Sequence, residues 1–265
     1  MTAQPADTES ESAERPGRGS GVTRLRRRHE ATTHEIKQVS LRMLREGEPL
    51  NLRAVARQME LTPSALYRYF ASRDAIVTAL IVDAYDDVGS HVEGIQAELA
   101  DADPGSRILA VLHGFRDWAL AHPHEYGLIY GTPMAGYEPD EATQASALRT
   151  HIVLIGELAR ALEEGAVVPR VQPVPDPLEG VLTALRDVDG VLHDLPATVW
   201  AGALQFWTVL YGAVNAELFG HYPPPIRENP GEFFDHTMRG ALLALGTRPE
   251  VLDVVPRWGE ESGNA

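Results

Sequence analysis

Residues 51–76, NLRAVARQMELTPSALYRYFASRDAI, contain the signals for two short helices separated by a tight turn. Asn51 is a favourable N-cap for the first helix, and the apolar positions of that helix fall on one face: Leu52, Val55, Ala56 and Met59. Thr62 is a good N-cap for the second helix, and Pro63 suits a first helical position because no amide proton is needed there. We therefore predict helices over about 52–59 and 62–69.

A further helix is predicted on each side of this pair. Before it, apolar residues keep helical spacing over 33–45, and Gly47 with Pro49 ends the helix. After it, Ser72 begins a longer helix whose apolar stripe continues over 76–99. Three helices with a tight turn between the second and the third form a helix-turn-helix unit.

The first residues of the last short helix suit contact with DNA. A helix-turn-helix places these residues against base edges in the major groove. Here they are small: Thr62, Pro63, Ser64 and Ala65. If Leu66 and Phe70 face inward, the residues that face outward can reach phosphate oxygens through hydroxyl and guanidinium groups: Tyr67, Arg68 and Tyr69. The alternative is an ordinary core helix whose exposed Tyr and Arg side chains have no function.

Charge is distributed unevenly along the chain. The net charge is −15, yet residues 15–73 hold thirteen basic residues against five acidic ones. Residues 1–14 hold four acidic residues and no basic one, and residues 74–265 hold ten basic residues against twenty-nine acidic ones. A basic segment on an acidic body is typical of a nucleic-acid-binding end, and the acidic body would repel DNA and so orient the basic end toward it.

A cluster of arginines precedes the first predicted helix. Residues 1–22 are rich in Ser, Glu, Gly and Pro, which predicts a disordered tail. The cluster that follows consists of Arg24, Arg26, Arg27 and Arg28. A flexible arginine arm beside a helix-turn-helix can enter the adjacent minor groove. The alternative is a solvated charge run that adds only non-specific attraction to DNA.

The rest of the chain keeps helical spacing between Pro- and Gly-rich breaks. Helices are predicted at about 105–121, 123–130, 139–164, 196–220 and 230–246, and no segment has a convincing strand pattern. The predicted fold class is therefore all-α. The absence of cysteine excludes disulfides and thiolate zinc sites, and no apolar run is long enough for a membrane span. A cytoplasmic protein is expected.

Residues 55–76 resemble the DNA-binding signature of the TetR family of transcriptional regulators. The specific core of that signature is a Leu-Tyr pair, one further residue, an aromatic pair, and then Ser-basic-acidic at the start of the next helix, here within Leu66–Asp74. By position, the implied phosphate contacts are Tyr67, Tyr69 and Arg73, and the implied contacts that read or border bases are Thr62, Pro63, Ser64, Ala65 and Arg68. The resemblance is close over about residues 30–80.

The chain departs from the family's pattern at three positions. The family usually has Gly in the turn where this chain has Glu60, its common His is replaced by Tyr69, and its usual Lys is replaced by Arg73. If the turn position keeps a positive φ, Glu60 costs roughly 1 kcal/mol relative to Gly. Tyr69 and Arg73 can still donate hydrogen bonds to phosphate, so DNA binding is still expected.

The resemblance also implies a division into domains. The implied segments are a disordered tail (1–22), a helix-turn-helix DNA-binding domain (23–75), a helical ligand-binding and dimerisation domain (76–250) and a C-terminal tail (251–265). In the family the last two long helices pair across a two-fold axis, and here these would be 196–220 and 230–246. Their large apolar surface suits a dimer interface, and the alternative, which does not exclude it, is an intramolecular core.

The helical body also resembles the ligand domain of a TetR subgroup named for a Trp-His-Gly motif. The similarity lies in residues 118–137 and 205–221, with Tyr211 in the place of the His before Gly212. A ligand pocket between helices would be lined by aromatic residues and a few polar groups. The candidates are Phe115, Trp118, Tyr126, Tyr130, Met134, His151, Phe206, Trp207, Tyr211 and Asn215. Each could instead belong to the core.

These observations favour one function over the alternatives. His122, His124 and Glu125 have no further metal ligands at a fixed spacing, so neither a metal nor another cofactor is predicted. A helical enzyme is disfavoured because the known catalytic motifs are absent from the sequence, and a protein-binding adaptor is a third class.

The predicted function is a homodimeric repressor that a small apolar effector releases from a near-palindromic double-stranded DNA operator. An activator of the same fold is the alternative.

Overall fold

The computed structural model describes residues 19–132, 137–170, 174, 176 and 197–256, and within these ranges the chain forms helices and no sheet. The helices of this part are α1 (Gly19–Arg45), α2 (Leu52–Gln58), α3 (Pro63–Leu66), α4 (Arg73–Glu98), α5 (Pro104–Ala121), α6 (Pro123–Tyr130), α7 (Glu141–Glu163), α8 (Ala197–Leu218), α9 (Pro224–Arg227), α10 (Pro230–Leu245) and α11 (Pro249–Asp253). The predicted all-α fold class is confirmed. The chain forms two compact units, the first ending at Ile76 and the second beginning at Val77.

The first unit is built on a small apolar core formed by α1, α2, α3 and the residues that follow α3. The buried side chains of this core are Ile36, Val39, Met43, Val55, Ala56, Leu66 and Phe70. Asn51 Oδ1 accepts a hydrogen bond from the Ala54 amide at 2.9 Å, and Thr62 Oγ1 accepts one from the Ala65 amide at 3.2 Å. Both predicted N-caps therefore fix the starts of their helices, because each satisfies an amide that has no partner within the helix.

The first helix is longer at its N-terminus than the sequence pattern predicted. It begins at Gly19, so residues 19–22 are helical rather than part of a disordered tail, and the arginine cluster lies within the helix rather than on a flexible arm before it. Once the C-terminal half of α1 packs into the core, adding a further helical residue requires no new nucleus, and arginine is a good helix former. The remainder of the predicted tail, residues 1–18, lies outside the described residues.

The second unit surrounds α5, which packs against α7, α8 and α10. A buried ion-pair network joins α5 to α7: Arg107 Nε donates to Glu157 Oε2 at 2.9 Å, and Arg107 Nη2 donates to Glu164 Oε2 at 2.8 Å. The side chains of Arg107 and Glu157 are only 2% and 3% exposed. Gln96 on α4 donates to the other Glu157 oxygen at 2.9 Å, so one carboxylate links three helices.

The end of the described chain is packed onto the second unit, although residues 251–265 were predicted to form a tail. Leu252 on α11 is buried, and Arg239 on α10 donates to the Leu252 carbonyl at 2.7 Å and to the Pro256 carbonyl at 2.9 Å. Gly105 permits this contact, because a Cβ there would lie 2.2 Å from the Val251 carbonyl oxygen. Residues 251–256 therefore belong to the body, and residues 257–265 lie outside the described residues.

Most large apolar side chains of α8 and α10 pack inside the protomer. The buried ones include Trp200, Leu210, Phe234, Met238 and Leu242. One stripe of α8 without charged residues stays exposed at Gln205, Thr208, Val209 and Gly212, and Phe219, directly after the helix, extends it. On α10 the exposed, uncharged positions Gly240 and Ala244 lie one turn apart. No helix in the described ranges is long and apolar enough to cross a membrane.

Candidate nucleic-acid interface and ligand cluster

The start of α3 presents a small, exposed edge. Thr62, Pro63 and Ser64 are exposed, and Ala65 is half-buried. The Thr62 hydroxyl caps the helix and lies 3.1 Å from the Ser64 hydroxyl. Because none of these side chains is large, the backbone at this edge can approach another molecule closely, as base readout in a major groove requires.

The residues after α3 form an aromatic and basic face. Leu66 and Phe70 are buried as predicted, while Tyr67 is 55% exposed and Arg68 is exposed as well. The Tyr69 ring is half-buried and stacks on His29 of α1, with ring centroids 4.7 Å apart and planes 17° from parallel. The sequence pattern did not identify His29, because nothing in the spacing of α1 shows which of its turns meets Tyr69.

Arg73 stands at the first turn of α4. Its Nη1 forms a 2.9 Å ion pair with Asp74 Oδ1, and its side chain is 36% exposed. The Ser72 hydroxyl caps the helix by accepting from the Ala75 amide at 3.0 Å. A guanidinium has five N–H donors, so the bond to Asp74 leaves Arg73 further donors for a phosphate.

The turn between α2 and α3 is built on a residue with a left-handed backbone. Glu60 has φ 54°, and it is the one non-glycine residue with positive φ in the described ranges. Glycine adopts this left-handed conformation without steric cost, which is consistent with the glycine that the family usually has at this position. Glu60 therefore keeps the turn geometry at a cost of about 1 kcal/mol relative to glycine.

Further basic side chains extend the positive surface of the first unit. The arginines of α1 at 24, 26, 27 and 28 are all exposed, and Arg26 Nε pairs with Glu30 at 2.9 Å. Arg53 and Arg57, which were not predicted as site residues, are exposed on α2. Both residues lie on the face of α2 opposite its apolar positions, so their spacing in the sequence could have predicted their exposure.

Tyr130 is the centre of an aromatic cluster in the second unit. Its ring centroid lies 5.1 Å from that of Tyr126, 5.5 Å from Tyr211, 5.7 Å from Phe115 and 6.0 Å from Trp207. We call these five residues the aromatic cluster. They come from α5, α6 and α8, and all five were predicted as pocket residues.

The other predicted pocket residues lie against the aromatic cluster, apart from it, or outside the described residues. His151 lies against the Trp207 ring at 4.1 Å, and Asn215 Nδ2 donates to the Tyr126 hydroxyl at 3.0 Å. Trp118 is separate, since its indole donates to Asp87 Oδ2 at 2.7 Å and stacks on His122. Met134 lies outside the described residues.

A small apolar cavity adjoins the aromatic cluster. It measures about 40 Å³ and lies between α5, α7, α8 and α10, where Trp207, His151 and Phe206 are among the residues that line it. Glu157 also lines it but is paired with Arg107. No group of three or more potential metal ligands occurs among the described residues.

Two further residues of this region were not predicted from the sequence. Tyr85 on α4 packs edge-on against Tyr130, with centroids 5.8 Å apart, and its hydroxyl donates to the Ile129 carbonyl at 3.2 Å. Thr150 on α7 is fully buried. Burial raises the pKa of the Tyr126 and Tyr130 hydroxyls, so the cluster disfavours negative charge.

Comparison with known families and proteins gives consistent matches. Residues 108–241, half of the chain, match the family described as "Tetracyclin repressor-like, C-terminal domain". HTH-type transcriptional regulator Rv1816 of Mycobacterium tuberculosis is 30% identical over 197 residues, which cover 74% of this chain and 83% of that protein. HTH-type transcriptional regulator Mb1846 of Mycobacterium bovis matches to the same extent.

Solved structures with a similar fold include two regulators. The crystal structure of a proposed regulatory protein, SCO4313, superimposes with a TM-score of 0.65 and 25% identity, and the match covers 82% of this chain and 98% of that chain. A TetR family transcription regulator from Marinobacter aquaeolei VT8 gives a TM-score of 0.54 at 15% identity, covering 84% of this chain and all of that one. Because the identity to the Marinobacter aquaeolei protein is only 15%, that match shows a similar fold alone.

Proposed function

The chain belongs to the TetR family of transcriptional regulators, and on this basis we propose that it is a homodimeric repressor that a small apolar effector releases from its operator. Members of this family bind DNA and are not enzymes. The observation that carries the proposal is the exposed edge of Thr62, Pro63 and Ser64, followed by exposed Tyr67 and Arg68, in a unit of basic character. The membership of a Trp-His-Gly subgroup stays a prediction.

The DNA-contacting residues are proposed from this geometry. Thr62, Pro63, Ser64, Ala65 and Arg68 read or border bases, because they lie at the start of α3 and just after it. Tyr67, Tyr69 and Arg73 contact phosphates, and the arginines of α1 at 24, 26, 27 and 28 add further phosphate contacts. The DNA-binding domain thus includes the helical residues from Gly19 onward, and the body extends to at least Pro256.

The proposed dimer interface is the exposed, uncharged stripe of α8 with the adjoining face of α10. Val209 is 39% exposed and Phe219 is 50% exposed in the protomer, an unusual exposure for apolar residues on packed helices. The stripe continues into a surface groove of about 380 Å³ that includes Gln205, Val209, Ala241 and Ala244. Depletion of charge and apolar contact at the centre are typical of stable interfaces. A second copy of this chain is the proposed occupant.

Phosphate contact by Arg73 predicts a characteristic salt dependence. We expect Arg73→Ala to weaken binding to operator and non-operator DNA by similar factors. The slope of log affinity against log salt should flatten by about 0.9 for each phosphate that the variant no longer neutralises. Changes at Ser64 or Arg68 should instead alter which operator bases matter. Footprinting and gel-shift titrations over a salt series, with DNA from beside the coding gene, measure both effects.

The matched control is Arg160→Ala, which removes an arginine of the second unit that is also paired with a carboxylate, Glu164 at 2.9 Å. This variant should keep the wild-type slope. An unchanged slope for Arg73→Ala would contradict the phosphate contact, and binding that ignores sequence in the wild-type protein would contradict the proposed operator.

Effector release predicts reciprocal coupling between DNA and ligand. The aromatic cluster touches α4 through Tyr85, and the first residue of α4 is Arg73. A ligand that opens the cluster acts through its different affinities for two arrangements of α4. A coupling of about 1–3 kcal/mol lowers operator affinity roughly 5–150-fold, and DNA weakens ligand binding by the same factor.

Tryptophan fluorescence gives the readout for this coupling, because Trp207 lies in the aromatic cluster. Compounds that quench it are identified first, and operator affinity is then measured with and without each compound. If operator affinity is the same with and without every tight-binding compound, the second unit does not respond to these compounds.

A further inference from the structure

Two buried hydroxyl groups beside the aromatic cluster have no hydrogen-bond partner of good geometry within the described part of the chain. They are Tyr130 Oη on α6 and Thr150 Oγ1 on α7. A hydrogen-bond interaction with the Thr150 side chain acts to lower the pKa of the Tyr130 hydroxyl against the larger upward effect of burial, so the two hydroxyls lie close together, and neither has a further partner among the described residues. Buried polar groups are normally paired, because leaving one unpaired costs free energy. A bound ligand is one way to provide the missing partner.

The surroundings of Tyr130 suit a flat, apolar molecule. Its ring touches five others, since Tyr85 lies at 5.8 Å in addition to the four other members of the aromatic cluster. Aromatic rings gain most from offset or edge-to-face packing against other rings. The adjoining 40 Å³ cavity is too small for such a molecule, so the rings must separate to admit it.

The charge of the site excludes ionised ligands. Burial raises the pKa of the Tyr85, Tyr126 and Tyr211 hydroxyls, so this environment disfavours negative charge. Among the described residues, Arg107 is the arginine that pairs with Glu157 beside the cavity, and its existing pairs with Glu157 and Glu164 leave it unavailable to balance a buried anion. Tyr85 and Tyr211 pack nearly perpendicular to Tyr130, at 87° and 78°, so these rings already pair with one another and a cation would have to displace them to reach a ring face.

We propose that the hydroxyls of Tyr130 and Thr150 are the polar anchor of the effector site, and that the effector is a neutral aromatic molecule with one hydroxyl or carbonyl group. This inference rests on the proposed function, because it names the ligand class of the same cluster. The rings hold the flat body of the molecule. The two hydroxyls donate to, or accept from, its single polar group.

The test compares three probes with the same ring system at pH 7: 2-naphthol, naphthalene and 2-naphthoate. Equilibrium dialysis gives the dissociation constant of each for the full-length wild-type protein and for the double variant Tyr130→Phe with Thr150→Val. We expect the double variant to bind 2-naphthol about 10-fold more weakly and naphthalene with unchanged affinity. The wild-type protein should bind 2-naphthoate at least 100-fold more weakly than 2-naphthol.

The matched control is Tyr222→Phe with Thr237→Val, which removes the same two hydroxyls from positions where they already donate to backbone carbonyls, those of Ala213 and Phe233. It should leave the ratio of naphthalene to naphthol affinity unchanged. The melting temperature of the Tyr130 and Thr150 double variant should equal or exceed that of the wild-type protein, because removing unpaired buried hydroxyls is neutral or stabilising.

Four outcomes would overturn the inference: the same affinity ratio in wild type and double variant, a 2-naphthoate affinity equal to that of 2-naphthol, a marked fall in melting temperature in the double variant, or no binding of 2-naphthol up to its solubility limit. Operator binding without any probe is measured in parallel. If operator binding is sequence-specific but the ratio of naphthalene to 2-naphthol affinity is the same in the wild type and in the Tyr130 and Thr150 double variant, only the proposed ligand class is wrong. If sequence-specific binding is absent, the proposed regulator function itself fails.

Discussion

Replacing Val209 and Phe219 together by glutamate should convert the protein into a monomer and lower its operator affinity at least 100-fold. Both side chains are exposed in the protomer, so the protomer is expected to fold normally. In a dimer, however, four carboxylates would be buried in an uncharged interface without partners, which is costly. A monomer engages one half-site and loses the gain in effective concentration that a second recognition helix provides. Sedimentation at micromolar concentration and gel-shift titration measure the two effects.

Val254→Glu is the control for this variant, because Val254 is 67% exposed and lies outside the proposed interface. It should remain dimeric with wild-type operator affinity. A Val209 and Phe219 variant that stays dimeric would contradict the proposed interface. A monomer that keeps full operator affinity would contradict the two-half-site mode of binding.

Glu157→Gln should lower the free energy of unfolding by about 3–5 kcal/mol, because it leaves the buried Arg107 guanidinium without its most deeply buried counter-charge. Glu164 remains as a partner but is 34% exposed and compensates only in part. For a protein of this size, the change corresponds to a fall in melting temperature of roughly 6–20 °C. Thermal unfolding followed by circular dichroism measures it.

Glu163→Gln provides the matched control on the same helix, since Glu163 is exposed. It should unfold within about 0.5 kcal/mol of the wild-type protein. If the two glutamine variants melt at the same temperature, the buried network contributes much less to stability than its burial indicates.

Local signals were sufficient for most of the helices and for the reading edge of α3. The caps at Asn51 and Thr62 act within three residues, so the sequence pattern contained their whole cause. The left-handed turn at Glu60 was considered only as a condition raised by the family resemblance, and the backbone there has φ 54°. The exposure of Tyr67 and Arg68 followed from the spacing of Leu66 and Phe70.

Features that depend on distant residues could not be predicted in the same way. Tyr85 packs on Tyr130 because of the particular turn at which α4 passes α6, and no spacing within α4 gives that turn. The ends of the chain were predicted poorly for a similar reason. The helical start of α1 depends on a core formed further along, and the docking of α11 depends on Arg239, which lies ten residues before its first residue.

If the proposed effector binds at the aromatic cluster, the tight packing of that cluster determines how quickly the protein can respond to it. A space of about 40 Å³ is far below the roughly 300 Å³ or more that a typical small-molecule site needs, so the rings must separate before a ligand can enter. Entry is therefore governed by the opening of the protein on the microsecond-to-millisecond scale rather than by diffusion alone. The same closure retains a bound molecule. Such a regulator filters out brief fluctuations in effector concentration and keeps its transcriptional state after the effector has begun to decline.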